Sequence, residues 1–180
     1  FFSRKNGFSK GIYKSLNWGK GSNDNMKNIQ RNLNLVAKKM NFSSTKLILM
    51  HQTHSNKVIE IKKNNYKKKI YADAIITKVR GISLSVLTAD CVPIILFDAK
   101  NGIIGCIHAG WKGAFNDIIK NTIKKIKKLN SKNRIYACIG PCIDKKSYEV
   151  DLAFYKKFIK KSHLNKKYFS KKGELKKFYL

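Results

Sequence analysis

The fold class of this chain is decided by residues 92–113, which read VPIILFDAKNGIIGCIHAGWKG. Two short runs rich in β-branched residues lie here, Val92 to Asp98 and Ile103 to His108, and the turn-forming pair Asn101-Gly102 separates them. Runs of this kind predict buried strands. After Gly110-Trp111 the apolar residues recur every three or four positions opposite lysines, which predicts an amphipathic helix at 112–129.

Outward from this stretch, the same two patterns recur along the chain. β-Branched runs predict strands at 47–50, 57–61, 74–78, 82–87 and 135–139, and helical spacing predicts helices at roughly 25 to 40 and 151 to 161. Asp151 is expected to cap the last helix. The Gly, Ser and Asn residues of 1–23 predict loops around short strands. We therefore predict an α+β fold, with mixed β-sheets covered by helices, in a single catalytic domain over residues 1–180.

The net charge of +29 ordinarily suggests a nucleic acid or an anionic membrane as partner. Here nearly all basic residues are lysine, and the arginines stand only at 4, 31, 80 and 134. A diffuse lysine surface is more often a solvated face than a groove that reads nucleic acid. We expect no specific nucleic-acid partner, and no apolar run approaches the roughly 20 residues of a membrane span.

Four cysteines without dense regular spacing predict reduced thiols or metal ligands and a cytoplasmic protein. Cys91 lies at a break between two predicted strands, and His108 ends the next strand but one. Strand ends at one edge of a sheet could bring these residues together with His54, although an isolated cysteine between strands is usually a core residue. Two imidazoles and one thiolate would leave a fourth zinc position open, as in catalytic sites.

Five segments, in a fixed order along the chain, distinguish this sequence from other α+β proteins. They are 52–58 (QTHSNKV), 72–77 (ADAIIT), 88–94 (TADCVPI), 107–113 (IHAGWKG), and 140–142 (GPC) with 147–150 (SYEV). The opening segments 2–7 (FSRKNG) and 15–17 (SLN) belong with them. Together they resemble the multicopper polyphenol oxidase, or laccase-domain, family of bacterial purine nucleoside phosphorylases and adenosine deaminases.

The resemblance implies a zinc site at His54, Cys91 and His108, with copper as a possible substitute. It also implies phosphorolysis of adenosine, inosine and methylthioadenosine to the base and ribose 1-phosphate, with adenosine deaminase activity. The family continues into a further C-terminal strand region, so the chain is expected to be a fragment that lacks this end and its first residues. Ser55 stands where the family commonly has glycine.

Candidate catalytic and substrate residues follow from the same segments. Asp90 and Asp73 are the carboxylates nearest the motifs. Asp90 is the first candidate, to support a ligand or the substrate, and Asp73 is the second, with a turn or capping role as the alternative for each. Cys91 joins them as the third catalytic candidate. The expected contacts with nucleoside and phosphate are Arg4, Asn17, Gln52, Trp111 and Lys112. Lys112 suits phosphate at a helix N-terminus, and Trp111 suits either stacking on a purine or packing.

Two other enzyme classes use the same residues. In a cysteine hydrolase or deamidase, Cys91 would be the nucleophile and His108 its base. A full multicopper oxidase requires about ten histidine ligands, whereas this chain has four histidines. Copper in the single site could still produce a phenol oxidase activity.

A basic nucleic-acid-binding module is a third class of function, which does not use these residues. Steeply salt-dependent affinity for DNA would identify it.

Overall fold

Short β-branched runs form the sheet that organises residues 1–140, the larger of two compact units in the computed structural model. The structure describes residues 1–65, 68–129, 133–171 and 178–179. The smaller unit comprises Pro141–Leu180. The prediction of one domain over the whole chain stays a prediction.

Seven strands lie in the described part of the larger unit. Five of them form one sheet in the order β2-β3-β6-β5-β7, and β1 pairs in parallel with β4 in a separate two-stranded sheet. Their bounds are β1 Leu47–Leu49, β2 Val58–Ile61, β3 Ala74–Thr77, β4 Ser83–Ser85, β5 Val92–Asp98, β6 Ile103–Ala109 and β7 Tyr136–Ile139. β2 and β3 are parallel, whereas the β3-β6, β6-β5 and β5-β7 pairs are antiparallel. The predicted α+β class with mixed sheets is confirmed.

The described residues of this unit also form three α-helices: α1 Met26–Lys39, α2 Trp111–Phe115 and α3 Ile118–Lys128. The prediction of one continuous helix from 112 to 129 is wrong, because the chain breaks between α2 and α3. Asp117 has φ 64°, in the left-handed region, which a right-handed helix cannot contain. At the break, the carbonyl oxygen of Asn116 accepts a hydrogen bond from Asn56 Nδ2 at 3.0 Å.

The five-stranded sheet buries apolar side chains on both faces. On one face, α3 contributes Ile118 and Ile126 to a cluster with Ile94, Leu96 and Ile107. On the other face, the β1-β4 side packs against a second cluster, whose members include Ile48, Met50, Ile61, Ile75 and Cys106. Each fully buried isoleucine contributes about 1.5 to 3 kcal/mol. The two apolar clusters thus pack against both faces of the sheet whose strand ends carry the candidate site.

The N-terminal segment lies over α1. Short strands were expected among the loops of residues 1–23, but this described segment contains a 3-10 turn at Gly11–Tyr13 and no strand. Asn32 of α1 is fully buried; its Oδ1 accepts from the Phe8 backbone N–H at 2.8 Å, and its Nδ2 donates to Ser9 Oγ at 2.9 Å. Asn32 therefore ties the segment to α1, and backbone hydrogen bonds within the segment, such as Leu16 N–H to the Arg4 carbonyl oxygen at 2.8 Å, complete its support.

The smaller unit contains β8 Glu149–Val150, α4 Leu152–Lys161, β9 Ser170–Lys171 and β10 Phe178–Tyr179. Its strands form an antiparallel sheet in the order β8-β10-β9. Asp151 Oδ1 accepts from the Phe154 backbone N–H at 2.7 Å, so the predicted cap of α4 is confirmed. Among the described residues of both units, no helix has the length and apolar character needed to cross a bilayer.

Candidate metal centre

Strand pairing brings three distant chain segments to one edge of the sheet. β5 and β6 are antiparallel and Val92 lies opposite Ala109, so Cys91 precedes β5 at the edge where β6 ends with His108 and Ala109. Ala74 pairs with Ile107 of β6 and with Val58, the first residue of β2. The loop that carries His54 therefore enters the sheet at this edge as well.

At this edge the side chains of His54, Cys91 and His108 converge. One ligand atom from each lies within 4.8 Å of the others. Cys91 Sγ is 3.9 Å from His54 Nε2, and the two imidazole rings are 4.8 Å apart between centroids at 80°. Zn–N bonds of about 2.0 Å and Zn–S bonds of about 2.3 Å place tetrahedral ligand atoms roughly 3.3 to 3.7 Å apart. The three residues therefore fit a zinc ion after small side-chain movements.

A buried carboxylate, Asp73, lies next to the three candidate ligands. It is fully buried at the start of β3 and accepts six hydrogen bonds. Oδ1 accepts from His54 N at 3.0 Å and His108 Nδ1 at 2.9 Å, and Oδ2 accepts from Thr53 N and Oγ1 at 3.2 Å each, Ser55 N at 2.7 Å and Ser55 Oγ at 2.6 Å. One carboxylate thus holds two of the three ligand residues.

The contact with Asp73 also sets the tautomer of His108. Burial alone would raise the pKa of Asp73, but hydrogen bonds from the Ser55 hydroxyl, His108 and the backbone N–H groups of Ser55 and Thr53 lower it to about 2. An ionised carboxylate has no proton to donate, so His108 Nδ1 carries the proton in this bond. Nε2 is then left with its lone pair available for a metal.

The backbone around His54 adopts an uncommon conformation. His54 has φ 56°, in the left-handed region, and is not a glycine. In this conformation three successive backbone N–H groups, from Thr53, His54 and Ser55, all donate to Asp73. Such concave arrangements of N–H groups bind anions. The carboxylate therefore stabilises the strained turn, and the turn directs the His54 ring toward Cys91.

Two glycines allow the close approach of the site elements. A Cβ on Gly110 would lie 2.9 Å from His54 Cδ2 and 3.1 Å from Cys91 Sγ, so Gly110 forms the floor of the candidate metal centre. A Cβ on Gly113 would lie 2.9 Å from the Ser55 carbonyl oxygen. The absence of side chains at these two positions lets α2 pack against the ligands and their loop.

Cys91 is a poor free nucleophile in this setting. Partial burial, followed by the negative charges of Asp90 and Asp73, raises the pKa of the Cys91 thiol. The thiolate is therefore disfavoured unless a cation is present, and a divalent metal would reverse this balance. The donor set of two imidazoles and one thiolate is one that zinc prefers.

The sequence as a whole matches a known family model, described as multi-copper polyphenol oxidoreductase laccase, over residues 1–180. The chain belongs to this family. The family resemblance deduced from the five segments is therefore confirmed, and it extends over the whole chain rather than over the motifs alone.

Proteins with similar sequences carry a different functional name. The chain is 40% identical over 132 residues to a purine nucleoside phosphorylase of Rickettsia conorii, which covers 71% of this chain and 52% of that protein. It is 37% identical over 153 residues to a purine nucleoside phosphorylase of Corynebacterium glutamicum, covering 83% of this chain and 62% of that protein. The chain thus spans between about half and two thirds of the length of these relatives.

Two solved structures share the fold of this laccase-family chain. A Neisseria meningitidis protein superposes with a TM-score of 0.84 at 27% identity, covering 98% of this chain and 70% of that one. A Bacillus licheniformis hypothetical protein superposes with a TM-score of 0.90 at 24% identity and the same coverage, and it supports the fold alone.

Of the two candidate carboxylates, Asp73 accepts hydrogen bonds from two of the candidate ligand residues. Asp90 is exposed next to Cys91, where its charge acts on the thiol. The sequence ranked Asp90 ahead of Asp73, because Asp90 adjoins a ligand in the chain. One feature of the sequence could have indicated the role of Asp73: it lies between two alanines at the start of an apolar run. An acidic residue in such a run is buried and requires hydrogen-bond donors around its carboxylate.

Arg4 and Asn17, both expected to contact substrate, make local hydrogen bonds in the N-terminal segment. The Arg4 guanidinium donates to the Lys14 carbonyl oxygen, with Nε at 2.8 Å and Nη2 on the same atom. Asn17 Nδ2 donates to Ser22 Oγ and Asp24 Oδ2, each at 2.9 Å, and its Oδ1 accepts from Gly19 N at 3.1 Å. Their contact with substrate stays a prediction.

Trp111 and Lys112 follow the glycine floor directly at the start of α2. Trp111 is half-buried, Lys112 is exposed, and Lys112 Nζ lies 5.6 Å from the centroid of the indole. α2 has only five residues, so its dipole is short and the charge of Lys112 is the stronger reason to expect an anion here. Gln52, the remaining predicted contact, has both ends of its amide bound to Leu87.

Proposed function

We propose that this protein is a zinc-dependent purine nucleoside phosphorylase that converts adenosine, inosine or methylthioadenosine and phosphate to the base and ribose 1-phosphate, with an accompanying adenosine deaminase activity. The observation that carries the proposal is the convergence of His54, Cys91 and His108, whose ligand atoms lie within 4.8 Å of one another. The names of the relatives support the substrate class.

Zinc in this site would supply Lewis-acid chemistry to a water or a substrate oxygen at its fourth position. The chain's own groups have separate tasks. Asp73 fixes the orientation of His108 and of the His54 loop. Gly110 keeps the space beside the ligands free of a side chain. Asp90, exposed beside Cys91, is the proposed catalytic contact with the substrate.

Phosphate and base are proposed to bind at the start of α2. Lys112 is exposed two residues after Gly110, so its ammonium group can approach an anion near the candidate metal centre. The neighbouring indole of Trp111 offers a surface for a purine ring. Purine nucleosides and phosphate are thus the proposed partners, whereas the diffuse lysine surface is assigned no nucleic acid.

A cysteine hydrolase remains the alternative that one observation favours, because the His108–Asp73 hydrogen bond resembles a base and its orienting carboxylate. The raised pKa of the Cys91 thiol opposes it. Alkylation distinguishes the two classes: a metal ligand is protected from iodoacetamide in the zinc-loaded protein, whereas a catalytic cysteine reacts without metal and its activity is lost.

The test of the proposal compares Cys91→Ala with Cys138→Ala, because Cys138 is an exposed cysteine outside the candidate metal centre. We expect one zinc per chain in the wild type and in Cys138→Ala, and none in Cys91→Ala, by elemental analysis. Incubation with adenosine should give adenine and ribose 1-phosphate only with phosphate, and inosine without it. Full zinc retention in Cys91→Ala, or no turnover of purine nucleosides by the zinc-loaded protein, would contradict the proposal.

A further inference from the structure

The connection between β4 and β5 carries Cys91 but has little backbone support. Within the described part of the chain, residues 87–91 make no backbone–backbone hydrogen bond. The backbone of this segment is bound at one point: the Leu87 N–H donates to Gln52 Oε1 at 2.9 Å, and Gln52 Nε2 donates to the Leu87 carbonyl oxygen at 2.7 Å. Among the hydrogen bonds of the described residues, those of Gln52 alone fix the backbone of this segment.

Gln52 is itself held firmly on both sides. The preceding residue, His51, donates its backbone N–H to the Ile70 carbonyl oxygen at 2.7 Å. The following residue, Thr53, donates its backbone N–H to Asp73 Oδ2 at 3.2 Å. Because the backbone on either side of Gln52 is fixed by hydrogen bonds, its side chain can hold Leu87 at a fixed distance from the loop that carries His54.

We propose that Gln52 is a positioning residue of the metal site, whose amide aligns the Cys91 segment with the loop that carries His54. Asp73 orders His54 and His108 through its own hydrogen bonds, but it makes none with the Cys91 segment. Gln52 supplies the missing connection, and it does so two residues from His54. This inference rests on the proposed metal function.

The same geometry argues against Gln52 as a principal substrate contact. Its amide oxygen accepts from Leu87 and one of its two N–H donors is used on the Leu87 carbonyl. One N–H and one lone pair of the oxygen remain for any other partner. Because the two bonds to Leu87 already fix the orientation of the amide, the side chain is better placed to hold the backbone than to select a nucleoside.

Gln52→Met tests the inference, because methionine keeps the length of the side chain and removes its strong donor and acceptor. Asn65→Leu is the matched control. Asn65 makes the same pair of side-chain-to-backbone bonds in the turn after β2: Oδ1 accepts from Lys62 N at 2.7 Å and Nδ2 donates to the Glu60 carbonyl oxygen at 3.0 Å. Each variant therefore loses two comparable hydrogen bonds.

Two readouts separate positioning from general stabilisation. Competition with a chromophoric chelator should show zinc affinity at least tenfold lower in Gln52→Met and within twofold of wild type in Asn65→Leu, since supporting residues around ligands typically affect metal affinity 10- to 100-fold. In the metal-free protein, hydrogen exchange at the Leu87 amide should be at least tenfold faster in Gln52→Met alone. Denaturant midpoints should fall similarly in both variants.

Wild-type zinc affinity in Gln52→Met would overturn the inference, and a raised KM for the nucleoside with unchanged zinc affinity would return Gln52 to the substrate. Unchanged Leu87 exchange would also overturn it. If the wild type binds no zinc, the proposed function fails. In that case faster Leu87 exchange in Gln52→Met still supports the alignment of the Cys91 segment by Gln52.

Discussion

Asp73→Asn is the most informative single change to the candidate metal centre. The substitution keeps the shape of the side chain but replaces one carboxylate oxygen with an NH₂ group. Oδ1 faces the N–H of His54 and Nδ1 of His108, whereas Oδ2 faces the N–H groups and hydroxyls of Thr53 and Ser55. On the Oδ2 side the asparagine NH₂ group would face the backbone N–H groups of Thr53 and Ser55. On the Oδ1 side it would face the His54 N–H and His108 Nδ1, which can accept only if the imidazole proton moves to Nε2.

The magnitude follows from this count. The two hydroxyls can rotate and accept, and His108 can change its tautomer, but a backbone N–H can only donate; each buried donor without an acceptor costs about 1 to 3 kcal/mol. The amide orientation that leaves only the His54 N–H unpaired is favoured, so the expected loss of unfolding free energy is about 1 to 3 kcal/mol. A domain with the usual 5 to 15 kcal/mol of stability would remain folded.

Metal binding should be more sensitive than stability. Without the carboxylate, His108 no longer has a fixed tautomer and the His54 turn loses its acceptor, so zinc affinity should fall by about 10- to 100-fold. The assay is chelator competition, together with urea denaturation of the metal-free protein. Asp98→Asn is the matched control, since Asp98 is also buried but accepts from Asn101 N at 3.1 Å and Asn101 Nδ2 at 2.8 Å at the opposite end of β5.

We expect Asp98→Asn to lose stability and to retain zinc affinity. A folded Asp73→Asn protein that binds zinc as tightly as the wild type would refute the reasoning, because it would show that neither the His108 tautomer nor the His54 turn depends on the carboxylate. An equal loss of zinc affinity in both variants would show that global stability, rather than ligand orientation, controls the site.

Four further predictions follow from the same geometry. Lys112→Ala should lower phosphorolysis by one to two orders of magnitude, equivalent to about 1.5 to 3 kcal/mol for a charge-assisted contact, and spare deamination, whereas His108→Ala should abolish both; product analysis with and without phosphate checks this. Gly110→Ala should weaken zinc binding at least tenfold in a chelator titration, because the added Cβ would lie 2.9 Å from His54 Cδ2. The backbone itself tolerates alanine there, with φ −70° and ψ 164°. The control Gly21→Ala, whose Cβ would meet open space, should leave zinc binding unchanged. The pKa of Asp73 is about 2 in the folded protein against an ordinary 3.8, so between these values the unfolded state binds more protons than the folded state. The contribution of Asp73 to the free energy of unfolding should therefore be complete above about pH 5 and decline as the pH falls toward 2. Acid denaturation of Asp73→Asn should lack this pH-dependent contribution. Added copper should raise phenol oxidation without raising phosphorolysis, and a parallel rise of both would favour an oxidase.

Much of the fold was readable from local patterns. The β-branched runs of β5 and β6 and the helical spacing of α1 and α4 predicted elements within one or two residues of their ends. The break at Asp117 was not readable, because a left-handed residue within a lysine and isoleucine pattern leaves the periodicity on either side unchanged. Short strands were also expected near the N-terminus, where Asn32 holds an irregular loop instead.

The sequence by itself determined the α+β class and the family, and through the family resemblance it predicted the three candidate ligands, because residue types and ordered motifs are properties of the chain. It could not rank Asp73 above Asp90, nor distinguish Gln52 as a backbone clamp from a substrate contact. Those roles depend on which groups meet across the sheet edge, where antiparallel pairing of β5 and β6 and parallel pairing of β2 and β3 bring distant segments together. Burial and hydrogen-bond partners are set only by that packing, and for this reason the tertiary structure alone decided how the ligands are held.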